Sequence, residues 1–250
     1  MRIIYAQSMK RGPCQLSLDL PARGGKRRGA GRKAQGGRAG VSHKRRPALA
    51  ARFPVHVTLR VKAEVWSLRS RRSFRRIAAA FRAVRKGRRT FRIAEYAILG
   101  NHLHLIVEAN DRGCLTRGMQ ALEIRVAKAL NKMMERHGPV FADRYHAHIL
   151  RTPTEVANAL RYVRGNFSVH AARQGDPVLA VPDEYSSAAL VNRALPHGQD
   201  GPLVSPPGTW LLSTGFRLGR RQRAEEASGV TSSGAAPRGR RAARPPWARW

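Results

Sequence analysis

Leu99-Gly100-Asn101-His102-Leu103-His104-Leu105-Ile106-Val107-Glu108 is the stretch from which the fold is read. Gly100-Asn101 is a turn dipeptide, and the segments on either side, Thr90 to Leu99 and His102 to Ala109, have the composition of strands. Together they predict an antiparallel hairpin. Successive side chains of a strand point to opposite faces. Leu103 and Leu105 are therefore expected to face a core, with His102 and His104 side by side on the other face. Paired imidazoles on one face of a rigid strand are half of a divalent-metal site. The same pattern fits equally well a pair of solvent-facing or hydrogen-bonded histidines, and a third ligand is needed to choose.

Working outward, Phe53-Pro54-Val55-His56-Val57-Thr58-Leu59-Arg60-Val61 alternates and is rich in β-branched residues, which predicts a strand. Ser73 to Lys86 places Phe74, Ile77, Ala78, Phe81 and Val84 at helical spacing, with a basic opposite face. Leu115 to His137 reads as a long helix stopped by Gly138-Pro139, on which Arg125 and Lys128 face solvent or phosphates. Tyr145 to Arg151 is a short alternating strand. Thr152-Pro153-Thr154-Glu155 has a capping hydroxyl, a proline at the first helical position and a glutamate at the third, so a last helix is expected to run to about His170. The order strand, helix, strand, strand, helix, strand, helix predicts an α+β domain, a ferredoxin-like antiparallel sheet with helices on one face.

Composition sets the boundaries. Residues 1–51 are a Gly-, Arg- and Lys-rich arm, residues 52–189 have the periodicity of a folded domain, and residues 190–250 read as a low-complexity basic tail. Both flanking segments are expected to be disordered alone, because they have too little apolar surface to offset their ordering entropy. The 250 residues have a formal net charge of +33 and a pI near 11.9. A field of that sign and size attracts polyanions, and nucleic acid is the expected partner. Cys14 and Cys114 suit neither a disulfide framework nor a zinc site, which points to a reducing, cytoplasmic setting. No apolar run approaches the roughly 18 residues that span a bilayer, and the first residues lack the apolar core of a signal peptide.

The last helix supplies further candidates. Val156, Leu160, Val163 and Phe167 form its apolar stripe, and Tyr162 and Asn166 fall together on the shoulder, one turn apart. An amide oxygen four residues from a phenol can ligate a metal while the phenol faces a scissile phosphate. A partly buried structural tyrosine fits the same spacing, and spacing does not place this helix against the histidine strand.

Asn101-His102-Leu103-His104-Leu105-Ile106-Val107, then Phe141-Ala142-Asp143-Arg144-Tyr145-His146-Ala147-His148-Ile149, then Leu160-Arg161-Tyr162-Val163-Arg164-Gly165-Asn166 resemble, in order, the motifs of the single-tyrosine HUH transposases. The likeness is to the insertion-sequence-200-like group, and within it to the REP-associated tyrosine transposases. Pro54 to Arg60 resembles that family's first strand, and Asp183-Glu184-Tyr185-Ser186-Ser187 the segment that closes its domain. The resemblance spans roughly Phe53 to Ala189 and neither tail. It implies that His102, His104 and Asn166 bind Mg²⁺ or Mn²⁺ and that Tyr162 is the nucleophile. It further implies cleavage and rejoining of single-stranded, often hairpin, DNA through a 5′-phosphotyrosine link that leaves a free 3′-hydroxyl. Neutral imidazoles suit Mn²⁺ better than Mg²⁺. The family often has proline after the asparagine, where this chain has Phe167.

Other residues are read around that site. His148, Arg144, Arg161 and Arg164 are candidate DNA contacts, as are Arg27, Arg28, Arg32 and Lys33 of the arm. Tyr145, Tyr96, Tyr185 and Tyr5 are read as structural, and Glu108 as an exposed carboxylate at a strand end. The expected setting is the bacterial cytoplasm, associated with the nucleoid and not with a membrane; monomer and homodimer stay open. Two other readings compete: a non-catalytic nucleic-acid-binding protein of the same fold, and a basic RNA-binding protein of ribosomal type, which leaves the Tyr162–Asn166 pairing unexplained.

Overall fold

The computed structural model of the chain describes residues 45–87, 89–174, 183–189 and 202–227. Arg27, Arg28, Arg32, Lys33, Tyr5 and Cys14 lie outside them. The elements run β1 (Val55–Arg60), α1 (Arg71–Gly87), β2 (Phe91–Ile98), β3 (His102–Ala109), α2 (Arg112–Met133), β4 (His146–Ile149) and α3 (Pro153–Gln174). A π-helical turn (Leu211–Gly215) then leads into α4 (Phe216–Ala227). The four strands form one sheet in the order β2-β3-β1-β4, with every neighbouring pair antiparallel. This is the ferredoxin-like arrangement that the element order predicts.

Alternation along the strands divides the sheet's residues between two cores. Val55, Val57, Leu59, Leu103, Leu105 and Val107 pack against Ile77, Phe81 and Val84 of α1 and Leu115, Met119, Leu122 and Val126 of α2. On the opposite face, Ala94, Ala97, Ile106 and Leu150 pack against Val156, Ala159, Leu160 and Val163 of α3 and Leu211 and Leu212 of the π turn. The expectation of helices on one face therefore fits α1 and α2 alone. Ile106 and the alanines of β2 leave the second face apolar as well, and the stripe of α3 covers it.

The starts of α2 and α3 show local sequence at work. The carboxylate of Asp111 accepts the Cys114 backbone N–H at 2.7 Å, so α2 begins three residues before the expected Leu115. It ends at Met133, shortly before Glu135, whose backbone is left-handed at φ 51°. At α3 the Thr152 hydroxyl accepts the Glu155 N–H at 3.2 Å and the Glu155 carboxylate accepts the Thr152 N–H at 3.1 Å. That is the reciprocal cap anticipated from the sequence.

The folded unit is longer at both ends than the 52–189 expected. Leu49 is part of the first core, and the Arg46 guanidinium lies 3.8 Å from the centre of the Tyr145 ring. Towards the C-terminus, residues 202–227 are packed rather than a featureless tail. The Ser205 N–H donates to the Ile93 carbonyl at 2.8 Å, and α4 lies so close to α3 that a Cβ on Gly219 would sit 2.5 Å from the Pro153 carbonyl oxygen. Only a residue without a side chain fits there. Residues 183–189 cover the outer edge of β2, where the Ile98 N–H donates to the Tyr185 carbonyl and the Ser187 N–H to the Tyr96 carbonyl. Covering an edge strand blocks its pairing with another chain. Two hydrogen bonds at 2.8 and 2.9 Å between Arg69 and Asp183 hold this segment down.

Glu108 departs from its expected exposure. It is 4% exposed, and its two oxygens accept the backbone N–H groups of Gly208 and Thr209, both at 2.8 Å. The carboxylate thus fastens the C-terminal segment to β3. Glu108→Ala leaves those two amides without an acceptor and is expected to cost about 2 kcal/mol of stability. Chemical denaturation checks the loss, and hydrogen exchange at Gly208 and Thr209 is expected to accelerate before exchange in β3 does.

Candidate active site

Pairing between strands gathers histidines on the α3 face of the sheet. His104 is opposite Thr58 and His102 opposite Arg60, while His148 is opposite His56 and His146 opposite Thr58. His56, His102, His104, His146 and His148 therefore project from one face of three adjacent strands. His102 and His104 meet edge to face with ring centroids 4.8 Å apart. His56 stacks on His104 at 5.3 Å and 16°.

The helix carrying Tyr162 crosses this face. Tyr162 meets His104 edge to face at 5.0 Å and His56 at 5.9 Å, and its hydroxyl is 3.5 Å from His104 Nε2. The contact between helix and histidine strand that spacing left open is thus made. Among the described tyrosines, Tyr96 is fully buried against Phe81. Tyr145 is buried beneath Arg46, and Tyr185 packs on Phe74 and under Arg69.

Each of the two paired histidines has its Nδ1 engaged. His104 Nδ1 is 3.1 Å from the Thr58 hydroxyl, and His102 Nδ1 donates to Asn101 Oδ1 at 2.7 Å. A proton on Nδ1 leaves the lone pair on Nε2, which is the tautomer a metal-ligating histidine adopts when its other nitrogen is tied to a neighbour. Among the described residues no three His, Cys, Asp or Glu side chains gather to hold a metal. A third protein ligand beside the two histidines would therefore be of another type. Asn166 is 1% exposed, and neither its amide oxygen nor its amide nitrogen has a hydrogen-bond partner among the described residues. Buried amides are normally satisfied, and an idle one a single turn from Tyr162 suits a ligand. Imidazole nitrogens and an idle amide oxygen are donor types that suit a divalent cation.

Two residues at the site escaped the sequence reading. His56 is fully buried, and burial, with His148 and His146 adding to it, lowers its pKa from 6.5 to about 3. It is a neutral ring that backs His104 and Tyr162. The alternation Val55-His56-Val57-Thr58 carries the signal that would have found it. Glu95 of β2 is the other. Arg164 of α3 makes a two-pronged ion pair with it, and the Ser187 hydroxyl donates to the same carboxylate. Arg164, expected among the DNA contacts, ties α3 to β2 through Glu95, the carboxylate that its position on the helix reaches.

The other expected contacts have varied surroundings. His148 is half-buried, with Nε2 3.9 Å from Glu155 Oε1. Arg161 is exposed and donates to Asn158 Oδ1 at 3.3 Å. Arg144 is half-buried, its backbone N–H held by Asp143. Arg125 and Lys128 are exposed on α2. Cys114 is a buried free thiol. No helix among the described residues is long and apolar enough to cross a membrane.

No family model matches the chain, and no curated protein matches it either. Among solved structures, the chain is similar to that of a REP-associated tyrosine transposase bound to a REP hairpin, with 15% identity and a TM-score of 0.48. The similarity covers 67% of this chain and 92% of that one.

The low pKa of His56 has a consequence for stability. The folded state keeps this ring neutral down to about pH 3, whereas the unfolded chain takes up the proton near pH 6.5. Its contribution is therefore complete above pH 6.5 and is lost as pH falls towards 3. By pH 5 the loss from this residue is about 2 kcal/mol. Urea titrations at pH 7.5 and pH 5 measure it, and His56→Gln is expected to flatten the profile across that window.

Proposed function

We propose that the chain is a metal-dependent single-strand DNA endonuclease and strand transferase, a transposase-type enzyme with Tyr162 as nucleophile. The observation that carries this reading is the placement of the Tyr162 hydroxyl, from α3, 3.5 Å from His104 Nε2 on β3. The motif resemblance and the net charge of +33 agree with it.

His102, His104 and Asn166 are the ligands of the cation in this reading. A divalent metal there supplies the positive charge that polarises a phosphodiester and favours ionisation of a phenol, whose ordinary pKa near 10 makes it a weak nucleophile. The protein's own groups do the rest. Thr58 and Asn101 engage the Nδ1 atoms of His104 and His102, which leaves Nε2 of each imidazole as the nitrogen that would meet the cation. The stacked His56 backs the His104 ring, and the Arg164–Glu95 pair restrains the rotation of α3.

In the step itself, the Tyr162 oxygen bonds to phosphorus as the bond from phosphorus to the 3′-oxygen breaks. The phenol loses its proton and the departing 3′-oxygen gains one. The strand is left attached through a 5′-phosphotyrosine with a free 3′-hydroxyl. Attack by a 3′-hydroxyl on that link reverses the sequence and releases Tyr162. The covalent link conserves the energy of the phosphodiester, so rejoining needs no nucleotide cofactor. Hairpin DNA is the substrate form this reading favours, and the basic arm is an additional phosphate contact.

Incubation with single-stranded hairpin DNA and Mn²⁺, followed by a denaturing gel, tests the nucleophile. Wild type is expected to form a covalent adduct that Tyr162→Phe does not form; equal behaviour of the two rejects the assignment.

Asn166→Leu tests the metal separately. Replacing an unsatisfied buried amide by an apolar side chain of similar size is expected to leave metal-free stability unchanged or raise it. The Mn²⁺-dependent rise in melting temperature seen for wild type is expected to vanish in the variant. A rise of wild-type size in Asn166→Leu removes this residue from the ligand set.

A further inference from the structure

The face of the domain opposite the Tyr162 site has its own concentration of charge. α1 carries seven arginine and lysine side chains and no carboxylate in its 17 residues. Arginines one turn apart repel and weaken a helix, so the sequence sustains this pattern at a cost. At the start of the helix Arg72, Arg75 and Arg76 line, with Met133 of α2, an open cleft of about 340 Å³. All three arginines are exposed, and none makes an ion pair with another described residue. Glu64 and Glu135, the carboxylates nearest this cleft in sequence, make no ion pair with them, and Glu184, which lines a neighbouring cleft with Arg75, makes none either.

An aromatic side chain stands beside these charges. Trp66 is 53% exposed, and its backbone N–H is 3.5 Å from Met134 Sδ at the end of α2. The Arg72 guanidinium lies 5.9 Å from the centre of its ring. The indole is thus set at the rim of the arginine cleft, where α1 and α2 meet the loop after β1. A large flat ring in water, with Arg72 beside it and guanidinium groups that make no ion pair in the adjoining cleft, matches the chemistry of a strand that offers phosphates and unstacked bases together.

We propose that Trp66, Arg72, Arg75 and Arg76 form a second binding surface for single-stranded nucleic acid, with one base stacked on Trp66 and the adjoining phosphates held by the three arginines. This surface is formed on α1 and α2, and the sheet separates it from Tyr162. A strand held there is a flanking or second segment, distinct from the one whose phosphate meets Tyr162. The surface does not depend on the catalytic reading and stands or falls on its own test.

The test titrates the full-length protein with a 15-mer of thymidine, following tryptophan fluorescence. Binding is expected to quench the emission of wild type, Trp66→Phe is expected to lose most of that quench, and Trp66→Ala is expected to bind about tenfold more weakly. The triple variant Arg72→Ala, Arg75→Ala, Arg76→Ala removes about three phosphate contacts. The slope of log affinity against log salt is then expected to fall by about 2, at roughly 0.7 per contact for a single strand. All four side chains are exposed, and an unchanged melting temperature verifies that the variants fold. Heparin, a polyanion without bases, serves as control and is expected to compete without quenching. An equal quench in wild type and Trp66→Phe overturns the proposal. So does a salt slope unaltered in the triple variant, and so does a quench reproduced by heparin alone.

Discussion

The alternation of side chains across the pleat of β1 and β3 is the constraint on which the molecule depends. Because Val55, Val57, Leu59, Leu103, Leu105 and Val107 are committed to the α1–α2 core, His56, Thr58, His102 and His104 have no choice but to share the opposite face. A slip of one residue in the pairing would exchange the two sets and bury the imidazoles in an aliphatic core. Hydrophobic packing on one side of the sheet thus sets the chemistry on the other. Thr58 is opposite His104 in that register and so is in place to hold its Nδ1. The ring stack of His56 on His104 has the same origin.

The second layer turns a row of imidazoles into an enclosed site. Its attachment combines apolar and polar parts. Val156, Leu160 and Val163 seat α3 on Ile106 and the alanines of β2, which sets the distance between helix and sheet but does little to fix rotation. The Arg164–Glu95 pair adds a directional restraint two residues from Tyr162. It is partly exposed on the arginine side, and pairs of that kind contribute little to overall stability. Its role is better understood as geometry than as energy.

Much of this was legible in the sequence, and the gaps have physical reasons. The Gly100-Asn101 turn, the His-x-His alternation and the cap at Thr152 are local signals, and each is present where expected. The Tyr162–Asn166 spacing identified a shoulder of α3, though only the tertiary fold brings Tyr162 to His104. The role of Arg164 was not legible, since its partner Glu95 is 69 positions away in sequence and nothing near Arg164 announces it. The burial of Glu108 depends on amides 100 and 101 positions further along. Residues 202–227 were misread for a related reason. α4 has little apolar periodicity and at 12 residues is short for a helix that stands alone, so it depends on contact with α3.

The close approach at Gly219 bears on where this protein can be cut. A boundary drawn after residue 189 would remove Leu211 and Leu212 from the second core and uncover the side of α3 against which α4 packs. A fragment of that kind would be prone to associate through the stripped face, and its failure to act would say little about Tyr162. The smallest faithful unit for expression begins before Leu49 and continues past α4. Within it, position 219 tolerates no enlargement, because the backbone of Pro153 already occupies the space a methyl group would need.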